Sequence, residues 1–193
     1  MRLVLPESVW ESLLDQFARQ RPGVERIAFL DGYRLGDDAV VTTLTIPDAT
    51  CEPGYYTVSP DQMREAGTHF RRSGMVRLAQ VHTHGGLGLH HSGRDDQMAY
   101  SQRHGAFSIV LPEHAVGRPS PTESLVHVRT EDAWVPLAAD EAPGLILLVP
   151  SILDFRRNLW TPSPPATKST FAVWSARWIR RLLSPSRWRS PRT

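Results

Sequence analysis

The sequence predicts an α/β fold in which a mixed β-sheet is flanked by helices. Three observations support this prediction. Helical and strand-like segments alternate along the chain, the first two strands can form an antiparallel hairpin, and the later strands are separated by helical crossovers that favour parallel pairing. With 193 residues, 40% of them apolar and 22% charged, the chain can form one packed domain of ordinary size.

The first half of the chain predicts a helix, two strands and a second helix. Residues 6–20 carry apolar side chains at helical spacing, and the residues on this face are Val9, Leu13, Leu14 and Phe17. Segments 24–35 and 39–49 are expected as strands that turn near Gly36. After a loop, CEPGYYTVSP, Ser59 and Pro60 begin a helix that ends at about Arg72.

The second half predicts four more strands and one helix. The strands are expected at 75–81, 107–111, 124–128 and 134–137, and the helix at 92 to about 103. Repeats are not visible, and low-complexity character begins only after about residue 160. We therefore expect a domain at 1–140, a linker or peripheral segment at 141–167, and a basic amphipathic tail at 168–193.

Composition excludes several classes of protein. The only cysteine, Cys51, cannot form an internal disulfide or supply a cysteine-rich zinc site. The chain has no run of about 18 apolar residues that could cross a membrane. Its first residues, MRLVLPESVWE, lack the long apolar region and the cleavage site of a signal peptide. We therefore expect a cytoplasmic protein.

Charge is distributed unevenly along the chain. Residues 1–154 carry 13 Arg, no Lys and 20 acidic residues, whereas residues 155–193 carry eight Arg, Lys168 and no acidic residue. The body is therefore acidic and the tail strongly basic. The scarcity of lysine is typical of a GC-rich genome, although avoidance of self-modification by a lysine-modifying pathway would have the same effect.

The segment QVHTHGGLGLHHSGRDDQ, residues 80–97, carries the candidate chemistry. His82 and His84 follow a predicted strand, and side chains two residues apart on an extended chain point to the same side. Two imidazoles converging at a strand end suit a zinc ion. Asp95, at the start of the next helix, is placed to be the third ligand. A fourth position open to water is typical of a catalytic site.

Part of this segment also has a reading without metal. Ser92 followed by Asp95 three residues later is a common helix start, in which the serine caps the helix. Asp96 lies within the same helical turn and is the alternative to Asp95. His90 and His91 could contact substrate or a second metal, but loop histidines are more often solvated, and we expect that here.

The spacing His-x-His-x7-Ser-x2-Asp resembles the signature of the JAMM zinc metalloproteases, the active branch of the JAB/MPN domain family. That family also carries an upstream glutamate in a Glu-x2-Gly-x3-Gly-like segment. Here Glu25 and Gly32 match this pattern, and Ala28 stands where glycine is usual. The resemblance covers about residues 1–137. It implies a three-layer, cytidine-deaminase-like fold.

The resemblance also implies roles for individual residues. His82, His84 and Asp95 would hold Zn²⁺, Glu25 would take a proton from the attacking water, and Ser92 would donate a hydrogen bond to the oxyanion. The departures from the family lie between the ligands. Gly85 and Gly86 replace the proline usual after the second histidine, and His90 and His91 precede Ser92 where proline is frequent.

The substrate is implied by the resemblance alone. JAMM-like enzymes cleave isopeptide or peptide bonds after the C-terminal glycine of a ubiquitin-like protein, and bacterial members accompany activating and conjugating enzymes. An extended tail of that kind can add to a sheet edge beside the metal. The loops GGLGL and CEPGYYTVSP are the expected walls of that groove.

The tail predicts an amphipathic helix over residues 168–183. One face carries Phe171, Trp174, Trp178, Ile179 and Leu182, and the other is rich in arginine. We favour docking on a partner or on the domain over peripheral contact with an anionic membrane surface. We do not expect nucleic-acid binding, because short basic termini are usually solvated.

Two further function classes remain open. A non-catalytic JAB/MPN scaffold would bind a partner through the basic tail, but scaffold members of the family lack some of the four residues His82, His84, Asp95 and Glu25. A zinc deaminase on a related fold would need a Cys-x2-Cys pair, which this chain lacks. The sequence therefore favours a zinc-dependent isopeptidase.

Overall fold

The elements of the fold are taken from a computed structural model that describes residues 1–138, 140–151 and 153. The strands are Arg2–Pro6 (β1), Ile27–Leu35 (β2), Asp38–Thr45 (β3), Ala49–Glu52 (β4), Tyr55–Val58 (β5), Val76–Thr83 (β6), Phe107–Leu111 (β7), Leu125–Arg129 (β8), Trp134–Pro136 (β9) and Ile146–Val149 (β10). The helices are Glu7–Ala18 (α1), Pro60–Ser73 (α2), Gly93–Met98 (α3) and Ala142–Leu145 (α4).

Eight strands form one sheet in the order β10-β1-β3-β2-β6-β7-β8-β9. The central strand β2 pairs antiparallel with β3, with which it forms the predicted hairpin, and also antiparallel with β6. β6 and β7 pair in parallel, with α3 lying between them in the chain. The prediction of an α/β fold with a mixed sheet is therefore confirmed.

The sheet is buried on both faces, as the side chains of β2 illustrate. Ala28 and Leu30 belong to the cluster that contains the apolar face of α1. Ile27 and Phe29 point the other way, into a cluster with Tyr56 of β5. Because side chains alternate along a strand, burial on both faces requires the continuous apolar run that β2 carries.

The two long helices begin and end within two residues of the predicted positions. α1 buries one apolar stripe, which consists of Trp10, Leu13, Leu14 and Phe17. At the start of α2 the Ser59 hydroxyl accepts a hydrogen bond from the Gln62 amide at 3.3 Å, with Pro60 in the first turn. Gly74 ends α2 in the left-handed conformation, at φ +67°, which costs glycine little.

Several elements differ from the sequence expectation. The segment expected as a loop, CEPGYYTVSP, contributes to the two-stranded hairpin β4–β5. β1 precedes α1, and β10 pairs with β1 in parallel, so the compact unit spans Met1–Leu153 and extends beyond residue 140. α3 ends at Met98 rather than near Arg103. A strand of four or five residues next to Pro or Gly gives too short a pattern to be recognised.

The segment 168–193, with its predicted amphipathic helix, lies outside the described residues. Among the residues that are described, none of the helices has the length and apolar character needed to cross a membrane.

Gly32 provides a direct test of the register of β2. The pairing of β2 with β3 shifts between Asp31 and Gly32, and a Cβ on Gly32 would lie 2.0 Å from the carbonyl oxygen of Val40. We expect Gly32→Ala to lower the free energy of unfolding by at least about 3 kcal/mol in urea denaturation, because backbone must move. Gly54→Ala, whose Cβ meets nothing within 4 Å, is the matched control. Equal stability of the two variants would contradict this register.

Candidate metal centre

His82 and His84 lie at the end of β6, in the middle of the sheet. His82 pairs with Ile27 of β2 and Val110 of β7, and its side chain is fully buried. His84 is the first residue after β6. The two rings lie on the same side, with centroids 5.1 Å apart, as their spacing predicts.

Asp95 completes the group from the first turn of α3. Its carboxylate is buried, with Oδ1 3.6 Å from His82 Nε2 and Oδ2 3.6 Å from His84 Nε2. One ligand atom from each of the three residues lies within 4.8 Å of the others. The three predicted ligands are therefore brought together, and the group could hold a metal ion.

The hydrogen bonding of the two histidines fits a metal ligand. Both ring nitrogens of His82 are buried without a hydrogen-bond partner among the described residues. His84 Nδ1 lies 2.7 Å from the carbonyl oxygen of Gly88, and a carbonyl only accepts, so Nδ1 carries the proton. The lone pair of His84 Nε2 is then directed towards Asp95. A bound cation would satisfy nitrogens that are otherwise costly to bury.

The protonation states of the group also suit a cation. Burial lowers the pKa of His82 to about 3, which keeps its ring neutral. Burial opposes ionisation of Asp95, but the nearby imidazoles of His84 and His82 and the hydrogen bonds from Ser92 outweigh it and hold the pKa of Asp95 well below its usual value. The carboxylate of Asp95 raises the pKa of His84. A metal therefore competes with a proton at His84, and binding weakens as the pH falls.

Ser92 caps α3 and orients Asp95. Its backbone N–H and its hydroxyl both donate to Asp95 Oδ2 at 2.7 Å, and its hydroxyl oxygen accepts from the Asp95 amide at 3.2 Å. This is the capping arrangement that the sequence also allowed. Both hydrogen bonds that the Asp95 carboxylate accepts from Ser92 fall on Oδ2, whereas Oδ1 faces His82. Ser92 thus fixes the orientation of the Asp95 carboxylate beside the two histidines.

Glu25 reaches the same site from the segment before β2. The pairing of Ile27 with His82 brings Glu25 close to His82, although Glu25 and His82 lie 57 residues apart in the chain. Glu25 lines a cavity of about 100 Å³ together with His84, Ser92 and Asp95. Glu25 is only 9% exposed, and burial raises its pKa to about 7. A carboxyl group of this kind can accept and return a proton near neutral pH.

The raised pKa of Glu25 predicts a pH-dependent change in stability. In the unfolded chain the carboxyl has its ordinary pKa, so the favourable contribution of the buried neutral form is present below about pH 4.5 and is lost as the pH rises through 7. We expect Glu25→Gln to raise the free energy of unfolding of the metal-free protein by about 1–2 kcal/mol at pH 8, and by much less at pH 5. Chemical denaturation at both pH values checks this, and an equal gain at both would contradict it.

The cavity walls come from the β4–β5 hairpin and from α3. Gly54, Tyr55 and Tyr56 line one side, and Arg94 and Met98 line the other. The guanidinium of Arg94 lies 4.7 Å from the ring centroid of Tyr55, which spans the two sides. The hairpin is thus a wall, as expected. Among the described lining residues none comes from GGLGL, residues 85–89.

Two residues near the metal group were not identified from the sequence. His91, expected in solvent, has a buried side chain that hydrogen-bonds Asp96 at 2.8 Å and Ser108 at 2.9 Å. Tyr56 packs its ring 5.4 Å from that of His82. Pairing of Cys51 with Tyr56 places Tyr56 in the hairpin. Neither residue has a local sequence signal, because the burial of each depends on contacts between distant segments.

Comparisons with known proteins show a similarity of fold but no match in sequence family. No protein-family model matches the chain, and no curated protein matches it. The fold is similar to the solution structure of protein DSY2949 from Desulfitobacterium hafniense, with a TM-score of 0.57 and 20% sequence identity. The similarity covers 78% of this chain and 94% of that chain. At this sequence identity the similarity shows the fold alone and says nothing about activity.

Proposed function

We propose that this protein is a zinc-dependent peptidase or isopeptidase that cleaves after the C-terminal tail of a ubiquitin-like protein. The observation that carries the proposal is the convergence of His82, His84 and Asp95 beside the buried carboxyl of Glu25. We also propose that the domain is of the JAB/MPN type, with its three-layer, cytidine-deaminase-like arrangement. The spacing of the site residues supports this assignment.

The donor set supports zinc as the resident ion. Two neutral imidazoles and one carboxylate are a ligand set of catalytic zinc sites, whereas magnesium and calcium prefer oxygen ligands. When bound, zinc supplies Lewis acidity and lowers the pKa of a coordinated water towards ~7. His82 and His84 would bind it through Nε2, and Asp95 through its carboxylate.

The chain's own groups account for the proton transfers. Glu25 accepts a proton from the attacking water as the oxygen adds to the amide carbon. The C–N bond then breaks, and Glu25 gives the proton to the departing amine. The products are a free carboxyl terminus on the modifier and a free amine. Because water is the nucleophile, no acyl-enzyme forms, and Cys51 has no part in the reaction.

Ser92 is proposed to stabilise the oxyanion of the tetrahedral intermediate. In this structure its hydroxyl donates to Asp95 Oδ2, so donation to the oxyanion requires the hydroxyl to change its acceptor. A cation bound to Asp95 would make Oδ2 a weaker acceptor for the Ser92 hydroxyl, and this would favour donation to the oxyanion.

The shape of the cavity supports a thin, extended substrate. A volume of about 100 Å³ between Tyr55, Tyr56 and Met98 has little room for side chains near the scissile bond. A C-terminal tail ending in glycines would fit it, which agrees with a ubiquitin-like substrate. Activating and conjugating enzymes of the same pathway are the further partners that this proposal implies.

The proposal is tested with two reporter substrates. One is a ubiquitin-like protein fused through its C-terminal glycine to a peptide, and the other carries the same glycine on a lysine side chain. We expect the zinc-loaded protein to cleave at least one of them, and chelation followed by zinc addition to abolish and restore cleavage. Failure to cleave either substrate at saturating zinc would contradict the proposed function.

A further inference from the structure

Arg26, which follows Glu25 directly, has a buried guanidinium bound to backbone carbonyls. The residue is 5% exposed, Nη1 donates to the carbonyl oxygen of His114, and Nη2 donates to that of Arg21 at 3.0 Å. Burying a guanidinium without a carboxylate partner is costly. An apolar side chain would avoid that cost but could not donate these two hydrogen bonds, which are therefore what arginine contributes at this position.

The carbonyl of His114 belongs to a left-handed turn. Glu113, His114 and Ala115 are consecutive non-glycine residues with φ of +46°, +55° and +61°. Residues other than glycine rarely adopt such a conformation, and strain of this kind is concentrated at functional sites. The turn directs the carbonyl of His114 to Arg26 and its N–H towards the opposite side.

The same turn holds the loop that follows the second metal-site histidine. The His114 amide donates to the carbonyl of His84 at 2.8 Å, and the Glu113 amide donates to that of Gly86 at 3.3 Å. A Cβ on Gly85 would lie 3.0 Å from the ring of His114, so glycine permits this close approach. The backbone of His84 and the guanidinium of Arg26 are therefore fixed to one turn.

The backbone of Arg26 is anchored to β6 as well. The Arg26 amide donates to Thr83 Oγ1 at 3.0 Å, and the Thr83 amide donates to the Arg26 carbonyl at 3.1 Å. The hydrogen bonds from Arg26 to His114, from His114 to His84, and between Thr83 and Arg26 thus form a ring that the peptide bond between Thr83 and His84 closes. His84 belongs to this ring, and Glu25 and His82 are the chain neighbours of two of its members.

We propose that Arg26 is a positioning residue that fixes Glu25 relative to His82 and His84 through the carbonyl of His114. The inference rests on the proposed function, because a fixed distance matters only if Glu25 transfers protons beside a metal. Displacing a reacting group by about 1 Å can cost 10²-fold in rate. Arg26 itself is not among the residues that line the cavity.

The test replaces Arg26 by methionine, which keeps the packing and removes the donors. We expect Arg26→Met to bind one zinc per chain but to lose about 10²-fold in kcat, with KM within about threefold of wild type. Arg26→Lys should recover part of the lost kcat. The control is Arg34→Met, which removes an arginine that donates to the His104 carbonyl on the exposed surface, and its kcat should be unchanged. A folded Arg26→Met protein with wild-type kcat would overturn the proposal.

Two further measurements apply if Arg26→Met does not fold. Thr83→Val removes the acceptor for the Arg26 amide with little change in shape, and the same loss of kcat with zinc retained is expected. In the wild-type protein, the amides of Arg26, Thr83 and His114 should be as protected from hydrogen exchange as those of residues 78–81 in the middle of β6. Rapid exchange at these amides would contradict the ring, whereas absence of zinc-dependent turnover in wild type would contradict only the proposed function.

Discussion

Asp95→Asn is expected to lose at least about 10²-fold in zinc affinity and, with it, all zinc-dependent hydrolysis. The substitution keeps the shape of the side chain but removes the negative charge that lies 3.6 Å from both His82 Nε2 and His84 Nε2. Titration calorimetry with zinc measures the affinity, and the reporter substrates measure the rate.

Asp96→Asn is the matched control for this prediction. Asp96 follows Asp95 in the same helical turn and was the alternative ligand, but its exposed carboxylate accepts from His91 at 2.8 Å, a bond that asparagine can also accept. Zinc affinity and turnover of Asp96→Asn should remain close to wild type. A result with the two variants exchanged would show that the wrong aspartate has been assigned.

Glu25→Gln is expected to keep zinc and to lose turnover. The amide cannot accept the proton of water, and removal of a positioned general base costs about 10²–10⁴-fold in kcat. Zinc should remain at one per chain, because Glu25 is not among the three clustered ligand residues. Steady-state kinetics and metal analysis of the same preparation check both parts.

Glu52→Gln is the control for the loss of an acidic side chain near Glu25. Glu52 lies on β4, accepts from the Glu25 amide only through its backbone carbonyl, and pairs its carboxylate with Arg21 in an exposed ion pair at 3.5 Å. Its turnover should match wild type. Stoichiometric loss of zinc from Glu25→Gln would mean that Glu25 is a ligand rather than the proton acceptor.

Much of the metal group could be predicted from the sequence because its geometry is local. A spacing of two residues on a strand places His82 and His84 on one side. A spacing of three residues at a helix start places Ser92 beside Asp95. The meeting of these two pairs requires the parallel crossover from β6 to β7, which the sequence pattern also predicted. Periodicity therefore placed these four residues, and the family resemblance selected Asp95 over Asp96.

Glu25 could not be placed by spacing, since it depends on a pairing between distant strands. Only the register of Ile27 with His82 brings it into the cavity, and the family resemblance supplied the residue before that register was known. Arg26 and His91 were missed for a related reason. Their partners, His114 and Ser108, are far along the chain, and no local pattern distinguishes a buried polar side chain from a solvated one.

Short edge and hairpin strands were the other part that the sequence did not predict. β4 and β5 contain four residues each and lie within a segment with Pro53 and Gly54, which indicates a loop. β10 also has four residues and follows Gly144 closely. Strands this short are stabilised by the pairing itself, so their own sequence carries little information.

Anomalous diffraction at the zinc absorption edge, from crystals of the zinc-loaded wild-type protein, addresses the central claim most directly. We expect one strong peak at about 2.0–2.2 Å from His82 Nε2, His84 Nε2 and a carboxylate oxygen of Asp95. Absence of a peak between these three side chains at saturating zinc, or a peak bound elsewhere on the chain, would contradict it.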